Sequence, residues 1–454
     1  MNLKSLNLLI YVVVISLVSC QEEKKEKNSI QEYEFNENHW RIENPNGSTD
    51  SLKIMDYQGR QAIPLKAGQK AILKYPEFKN FVVEFYCNGQ VPGFGFRTQD
   101  LKNYEHLYLR MMMSGKQDAL QYVPIHNGNL PWQLYNYPQY EGNATFPRRK
   151  VASIPISMKE QLINGKASDS LIIRLGNEGV KFSEESFVDI PDESPAYIYD
   201  PQNGEALLFE IKEDRIDFLD FRTWVRVKVE VFEDTMSVYV EDMDKPSFTV
   251  DNLKRDSQAG KIGLFSNFGD VYFSDFSISE IDRGNNQSSG NDAKQITPNY
   301  ITNWHISGMF AKDSVNFLQQ ADSLLKHIDK FKDISADEDG LVNISRFYDD
   351  MDKTVIIASK IVSSEEKEVV LNFDYADHLA ILMNSEMLFN KGMNFRPPID
   401  KGVEGRVFVN DEQVKLKLQK GINWLAFILS GDNRQKYNWG YIAKLEDVDG
   451  ITLE

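Results

Sequence analysis

The stretch "WVRVKVEVFEDTMSVYVED", Trp224 to Asp242, decides the fold. Val225, Val227, Val229 and Val231 alternate with Arg226, Lys228 and Glu230, a period of two that puts apolar side chains on one face and charges on the other. A helix would scatter those valines around its circumference, and their branched Cβ atoms pack better on a pleated surface. Glu233, Asp234 and Thr235 supply a turn, after which "MSVYV" resumes the alternation. The stretch therefore reads as an antiparallel hairpin with one face in a core and the other in water.

The same signal recurs on both sides of it. "FVVEFYCNG" (Phe81–Gly89), "GFGFRTQ", "HLYLRMMM", "DALQYVPIHNG", "PWQLYNY", "KIGLFSNF" and "VYFSDFSIS" are short alternating or aromatic runs, separated by Gly, Asn, Asp and Pro. At "DRGNNQSSGNDAKQ", Asp282 to Gln295, aromatic and almost all apolar residues vanish, which marks a linker over 282–296. The expected architecture is all-β: two β-sandwich (jelly-roll) domains, at 32–281 and 297–454, joined by that polar linker. A chain of 454 residues is long enough for two cores.

In the first domain the order of these runs resembles the concanavalin-like or laminin-G-like jelly roll. An early strand carries Glu84, "GFGFR" follows, then the Trp224 hairpin, then the closing "GKIGLFS…VYFSDFSI". The resemblance covers about Glu32 to Ile281 and implies a lectin-like sandwich. The segment around 148–222 exceeds what a compact jelly roll needs and is expected to form extra strands or a lid. In the second domain, "KTVIIASKIVSSEEKEVVLNFDYADHLAILMNSEMLFNKG" and "VFVNDEQVKLKLQKGINWLAFILSG" resemble the galactose-binding-like β-sandwich. Val369, Leu371 and Phe373 share one phase, and so do Leu379, Ile381 and Met383; "MNSEML" is a hairpin turn. "SVNFLQQADSLLKHIDKF", between Phe310 and Phe331, has the spacing of one short helix.

The N-terminus bears on location. Lys4 precedes an apolar run ending in "LVSC", Leu17 to Cys20, which resembles the lipobox of bacterial lipoproteins. That resemblance implies a signal peptide over 1–19, a lipidated Cys20, and a membrane partner reached through the lipid anchor only. "QEEKKEKNSIQE" then reads as a disordered tether over 20–31, and its acidic pair resembles export signals of surface lipoproteins in diderm bacteria. The expected location is the outer membrane or cell surface. Cys87 is the only other cysteine, so a lipidated Cys20 leaves no intrachain disulfide. With 68 acidic against 51 basic residues the net charge is −17, which argues against nucleic acid as a partner.

Tests for chemistry return little. A retaining glycosidase resembling the family-16 enzymes needs Glu-x-Asp-x-(x)-Glu on one strand. "VEDMDKPSF" offers Glu241, Asp242 and Asp244 without the third carboxylate and reads as a hairpin end. The six histidines show no HxH or HExxH spacing, so no transition metal is expected. "SADEDGLVNISRFY" begins like a calcium loop at Asp337, but its twelfth position is Tyr348 instead of a glutamate, which excludes an EF-hand. An irregular structural calcium site stays open there; no other cofactor is indicated, and no catalytic residue is assigned.

One constellation remains. In "YEHLYLRMMM" alternation puts Leu107, Leu109 and Met111 on one face and His106, Tyr108 and Arg110 on the other. Tyr122 and His126 follow in "QYVPIHNG", Gln133 and Tyr135 in "PWQLYN", and Arg97 is offered by a neighbouring strand. Within "NGNLPWQLYNYPQY", Asn127 to Tyr140, Trp132 and Leu134 are expected to face inward, and Gln133 and Tyr135 a groove. Flat rings beside Arg, Gln and His donors suit sugar rings, which present C–H faces and hydroxyl edges. The chain thus reads as a non-catalytic carbohydrate-binding lipoprotein with a glycan or polysaccharide partner. Two alternatives stand beside it. One is a glycoside-acting hydrolase similar to the 3-keto-disaccharide hydrolases, using Glu84, Glu105, His106, Arg97 and Arg110. The other is a protein-binding adhesion module.

Overall fold

The computed structural model describes residues 31–163, 168–177, 196–200, 205–281, 299–312, 323, 325–393, 405–431 and 437–454. The expected signal peptide, Cys20, the tether up to residue 30 and the linker fall outside them. Most of the expected Ser314–Phe331 helix does too; its described end carries a 3-10 turn at Ile328–Lys330. No helix among the described residues is long and apolar enough to cross a membrane. The protein is all-β, with 55% strand and 8% helix, and its sheets form two sandwich-like bodies.

The Trp224 hairpin forms as its pattern dictates, with strands Val225–Phe232 and Thr235–Val240 around Glu233, whose φ is +48°. Its four alternating valines have no exposed surface. Each contributes about 2 kcal/mol through burial. "VEDMDKPSF" is the hairpin's end: Glu241 accepts the Arg226 N–H at 2.7 Å, and Asp242 accepts the Asp244 N–H at 3.0 Å.

Two strands run longer than their sequence breaks suggest. Phe81–Asp100 and Lys261–Glu280 are each continuous over 20 residues and pair with each other along most of that length. The first half of Phe81–Asp100 also pairs with Val225–Val231, and the second half with Asn103–Leu109. Each long strand therefore belongs to both faces of the sandwich and bends between them. Gly89 lies at the bend with φ +125°; a Cβ there would meet Asp270 O at 2.4 Å. Only glycine lets the chains approach that closely. Between the two sheets pack Phe81, Val83, Phe85, Phe94, Phe96, Leu107 and the hairpin valines.

The excess segment forms a four-stranded antiparallel sheet in the order Arg149–Pro155, Arg215–Asp220, Glu205–Ile211, Ala196–Asp200. Helices Lys159–Ile163 and Asp169–Asn177 accompany it. Its core, built on Ile154, Leu162, Leu171, Leu175, Phe209 and Phe218, is separate from that of the sandwich. Four strands and two helices thus fill the segment for which extra strands or a lid was the expectation.

The second body packs a four-stranded sheet containing Lys367–Tyr375 against a larger one containing Lys353–Ser363, Asp377–Met383 and Gly421–Ser430. Val369, Leu371, Phe373, Leu379, Ile381 and Met383 are all buried in its core. Asn384 and Ser385 take positive φ in the expected "MNSEML" turn. The two bodies are not independent beads: Leu341, Ala376 and Val407 of the second belong to the hydrophobic core of the first.

Candidate functional site

His106, Tyr108 and Arg110 do share a face, but it is covered. His106 is 1% exposed and Tyr108 5%. Their rings stack at 5.4 Å, and His106 also stacks on Phe265 at 5.3 Å. Glycines explain the close fit. A Cβ on Gly93 would meet His106 Cε1 at 2.6 Å, and one on Gly95 would meet the Phe265 ring at 2.4 Å, so both rings lie directly on backbone. His106 Nε2 pairs with Asn267 Oδ1 at 2.9 Å, while burial drops its pKa to about 3 and keeps the ring neutral. Lys70 closes the row at the other end, 4.3 Å from the Tyr104 ring centroid, with burial pulling its pKa down to about 8.

The open groove expected over this face is replaced by an interface. "PWQLYNY" is not a strand. It folds as turns across the sheet, and Gln121 Nε2 donates to Trp132 O and Tyr135 O, both at 2.7 Å. All four of Trp132, Gln133, Leu134 and Tyr135 are buried, at 9%, 4%, 4% and 1% exposed. Gln133 turns to the second body, where Asn438 Oδ1 accepts its N–H and Asn438 Nδ2 donates to its Oε1, each at 2.6 Å. The Asn343 amide approaches the Tyr135 hydroxyl at 3.4 Å. A run of prolines and rings without charge suits an internal seam as well as a sugar platform; composition does not separate the two.

Arg110 sits in the middle of this seam in a buried charge cluster. Its guanidinium lies 3.5 Å from Glu141 and 3.8 Å from Asp118. From the second body Arg406 reaches the same carboxylates, at 2.8 Å and 3.4 Å. Trp132 is between the two cations, with ring distances of 6.0 Å and 5.3 Å. Arg110 also donates to Gln121 Oε1, which accepts the Tyr108 hydroxyl. Two positive and two negative charges thus offset one another in a place where an unpaired charge would cost several kcal/mol.

The remaining predicted residues go elsewhere. Tyr122 lies directly across from Leu107 and His106 across from Val123. Opposed residues share a face, so Tyr122 points into the sandwich interior, away from His106. There its hydroxyl donates to Glu105 at 2.7 Å. Arg97 is 1% exposed and donates to Glu233 O. His126 receives an N–H from Arg255 Nη1 at 2.8 Å, and burial and Arg255 hold its pKa at about 3. Glu84 pairs with Arg226 at 2.7 Å on the outer face. His106, Tyr108, Arg110, Gln133 and Tyr135 are therefore brought to one seam; Arg97, Tyr122 and His126 are not part of that face.

One edge of the seam opens. Tyr135, Asn252, Leu253, Lys254, Ala336, Asp337, Glu338 and Arg346 line a cleft of about 180 Å³ between the bodies. Here the "SADEDG" loop meets Lys254, whose ammonium stands 3.7 Å from Asp337 and 2.8 Å from Asp339 and pairs with Glu338. Among the described residues no group of three or more His, Cys, Asp or Glu side chains is arranged for a metal; the loop carboxylates converge on an ammonium instead. Burial pushes the Asp337 carboxyl up to about 6, and Lys254 only partly opposes this. Burial also pulls Lys254 down, but Asp337 and Asp339 outweigh it and hold the ammonium above its ordinary value. Tyr140 donates its hydroxyl to Asp339 behind them. Arg346 is exposed, with no hydrogen bond or ion pair from its guanidinium among the described residues. Of these lining groups Tyr135 and Asp337 stand out in the sequence; nothing local to Lys254 or Arg346 announces a site.

No protein-family profile and no curated protein sequence matches the chain. Among solved structures it is similar to a carbohydrate-binding module from Bacillus subtilis, at 10% identity over 53% of this chain and 96% of that one, with a TM-score of 0.28. It is similar to domain 4 of an extracellular arabinanase from Geobacillus stearothermophilus in complex with arabinotriose: 10% identity, 53% and 82% coverage, TM-score 0.25. A third is a legume lectin-like domain from Entamoeba histolytica: 9% identity, 54% and 91% coverage, TM-score 0.22. Likeness at this level assigns no function, which has to be read from the chain's own side chains.

Proposed function

We propose that the protein binds carbohydrate in the cleft between its two bodies, and that it does so tethered to the outer membrane through a lipid on Cys20. The observation that carries the binding is the cleft's lining. Arg346 offers exposed N–H donors and the part-exposed Glu338 carboxylate offers an acceptor, in a cleft of about 180 Å³ that Tyr135 also lines. Hydroxyls need both kinds of partner, and a cleft that small takes one sugar ring in preference to a length of polymer. The test is retention on polysaccharide affinity gels by the protein from Gln31 onward. Arg346→Ala, an exposed change, is expected to weaken retention about tenfold, the loss of one charge-assisted hydrogen bond. Retention by no polysaccharide, or retention unchanged in both Arg346→Ala and Glu338→Gln, overturns the reading. For the anchor, radiolabelled palmitate is expected to enter the wild type and not Cys20→Ala.

One observation favours a glycoside-acting hydrolase as a second reading. A carboxyl held at about 6 beside a second carboxylate is a proton donor poised near neutrality. On that reading Asp337→Asn abolishes sugar release and spares retention.

A further inference from the structure

A separate cavity lies where the first described strand joins the sheet, and none of the seam residues lines it. Gln31 and Glu32 pair with Ile278 and Ser277, and the chain then runs past the bulge at Asp275. Glu32, Tyr33, Glu34 and Phe35 on this segment, with Ile54, Gln61, Asp275, Phe276 and Ser277, enclose about 440 Å³. That lies within the range of small-ligand sites, and three features of the lining define what fits.

The first is charge. Glu32, Glu34 and Asp275 are three carboxylates on one cavity. Among the described residues the cation paired with them is Arg60, bound to Asp275 and held back against the Tyr86 ring at 3.6 Å. Among the described residues the Glu32 and Glu34 carboxylates have no hydrogen-bond or ion-pair partner, which leaves two acidic groups uncompensated. The second is an apolar wall. Phe276 is 4% exposed, packs edge-on to Tyr33 at 6.5 Å and to Trp40 at 4.9 Å, and faces the half-exposed Ile54. The third is unspent polarity. Tyr33 is 5% exposed and its hydroxyl has no partner among the described residues, while Gln61, exposed at the rim, makes no side-chain hydrogen bond among them. A purely anionic ligand is repelled here, and a purely apolar one leaves two carboxylates uncovered.

We propose that this cavity binds a primary ammonium carried on a small hydroxylated body. The carboxylates of Glu32 and Glu34 hold the ammonium, Phe276 and Ile54 hold the C–H surface beside it, and Gln61 and Ser277 meet the hydroxyls. Two sources present that chemistry: an amino sugar with a free amine, and an ethanolamine headgroup. The site is independent of the interdomain cleft, so the Arg346→Ala protein serves as its control.

The experiment is titration of the Gln31-onward protein, followed by NMR, with glucosamine, ethanolamine and N-acetylglucosamine. At least one of the two amines is expected to bind at millimolar concentration or better, and acetylation is expected to weaken glucosamine at least tenfold. Glu34→Gln is expected to cost about tenfold, with Arg346→Ala unchanged, and rising salt is expected to weaken binding throughout. Glucosamine without ethanolamine assigns the site to sugar; the reverse assigns it to headgroups. Both outcomes support the proposal. Binding of neither amine, equal binding of the acetylated sugar, or no effect of Glu34→Gln overturns it. Glu34 is exposed and holds no other side chain, so a folding failure does not stand in for a negative result.

Discussion

Arg406 and Glu141 stand 265 positions apart and meet at 2.8 Å, with 4% and 0% of their side chains exposed. This contact joins the second body to the first through charge where apolar packing alone would hold it less specifically.

Arg406→Ala leaves Glu141 and Asp118 sharing Arg110 alone in a dry place. Removing one member of a buried ion cluster costs about 3–5 kcal/mol. Denaturant melts of the wild type and variant measure it. A change within about 1 kcal/mol, the scale of an exposed pair, would mean that water reaches the cluster.

Gly89 and Gly93 separate two kinds of tightness. A Cβ at Gly89 meets backbone at 2.4 Å and sits at φ +125°, whereas at Gly93 it meets the His106 and Asn267 side chains, which can shift. Gly89→Ala is expected to cost more than about 3 kcal/mol, as strain and overpacking add, and Gly93→Ala about 1–3. Thermal melts that reverse this order would contradict the bend assigned to Gly89.

Stability depends on pH in opposing ways. His106 and His126 have folded pKa values of about 3, below the usual 6.5, so the unfolded chain takes up their protons first. Their contribution is complete above pH 6.5 and is lost as pH falls toward 3. Asp337 runs the other way: raised to about 6 from 3.8, it favours the folded state below about 4 and loses that advantage as pH rises through 6. Glu105, raised by burial, sides with Asp337, and His378, lowered by burial, sides with the other histidines; three imidazoles outweigh two carboxyls, so the melting temperature is expected to fall between pH 6.5 and 4. Asp337→Asn should steepen that fall, and His126→Gln should flatten it.

Cys87 is fully buried, and burial pushes its thiol well above the ordinary range. The protein from Gln31 onward should resist alkylation when folded and take up one equivalent of iodoacetamide in denaturant. Rapid labelling of native protein would contradict the packing of strand Phe81–Asp100.

How much of this was legible in the sequence depends on the reach of each signal. The Trp224 hairpin was, because alternation is local and its valines answer to nothing distant. So was the shared phase of His106, Tyr108 and Arg110. The register that turns Tyr122 to Leu107 was not, since it is set between strands, and a one-residue shift reverses every side chain. Gly89 was read as a boundary, although it bends one strand through two sheets. The composition of Pro131–Tyr137 is equally that of a ligand platform and of a seam. Its partners, Asn438, Val407 and Arg406, lie about 270 residues or more away, and no local pattern connects them to it.

The reciprocal amide pair of Gln133 and Asn438 has an evolutionary corollary. A lobe whose amide and guanidinium complete the hydrogen bonds of its neighbour is not a cassette that recombination can splice onto unrelated hosts. Grafted elsewhere, it would part Arg406 from Glu141 and Asp118 and leave those carboxylates to Arg110 alone, so descendants of this architecture should inherit both lobes together.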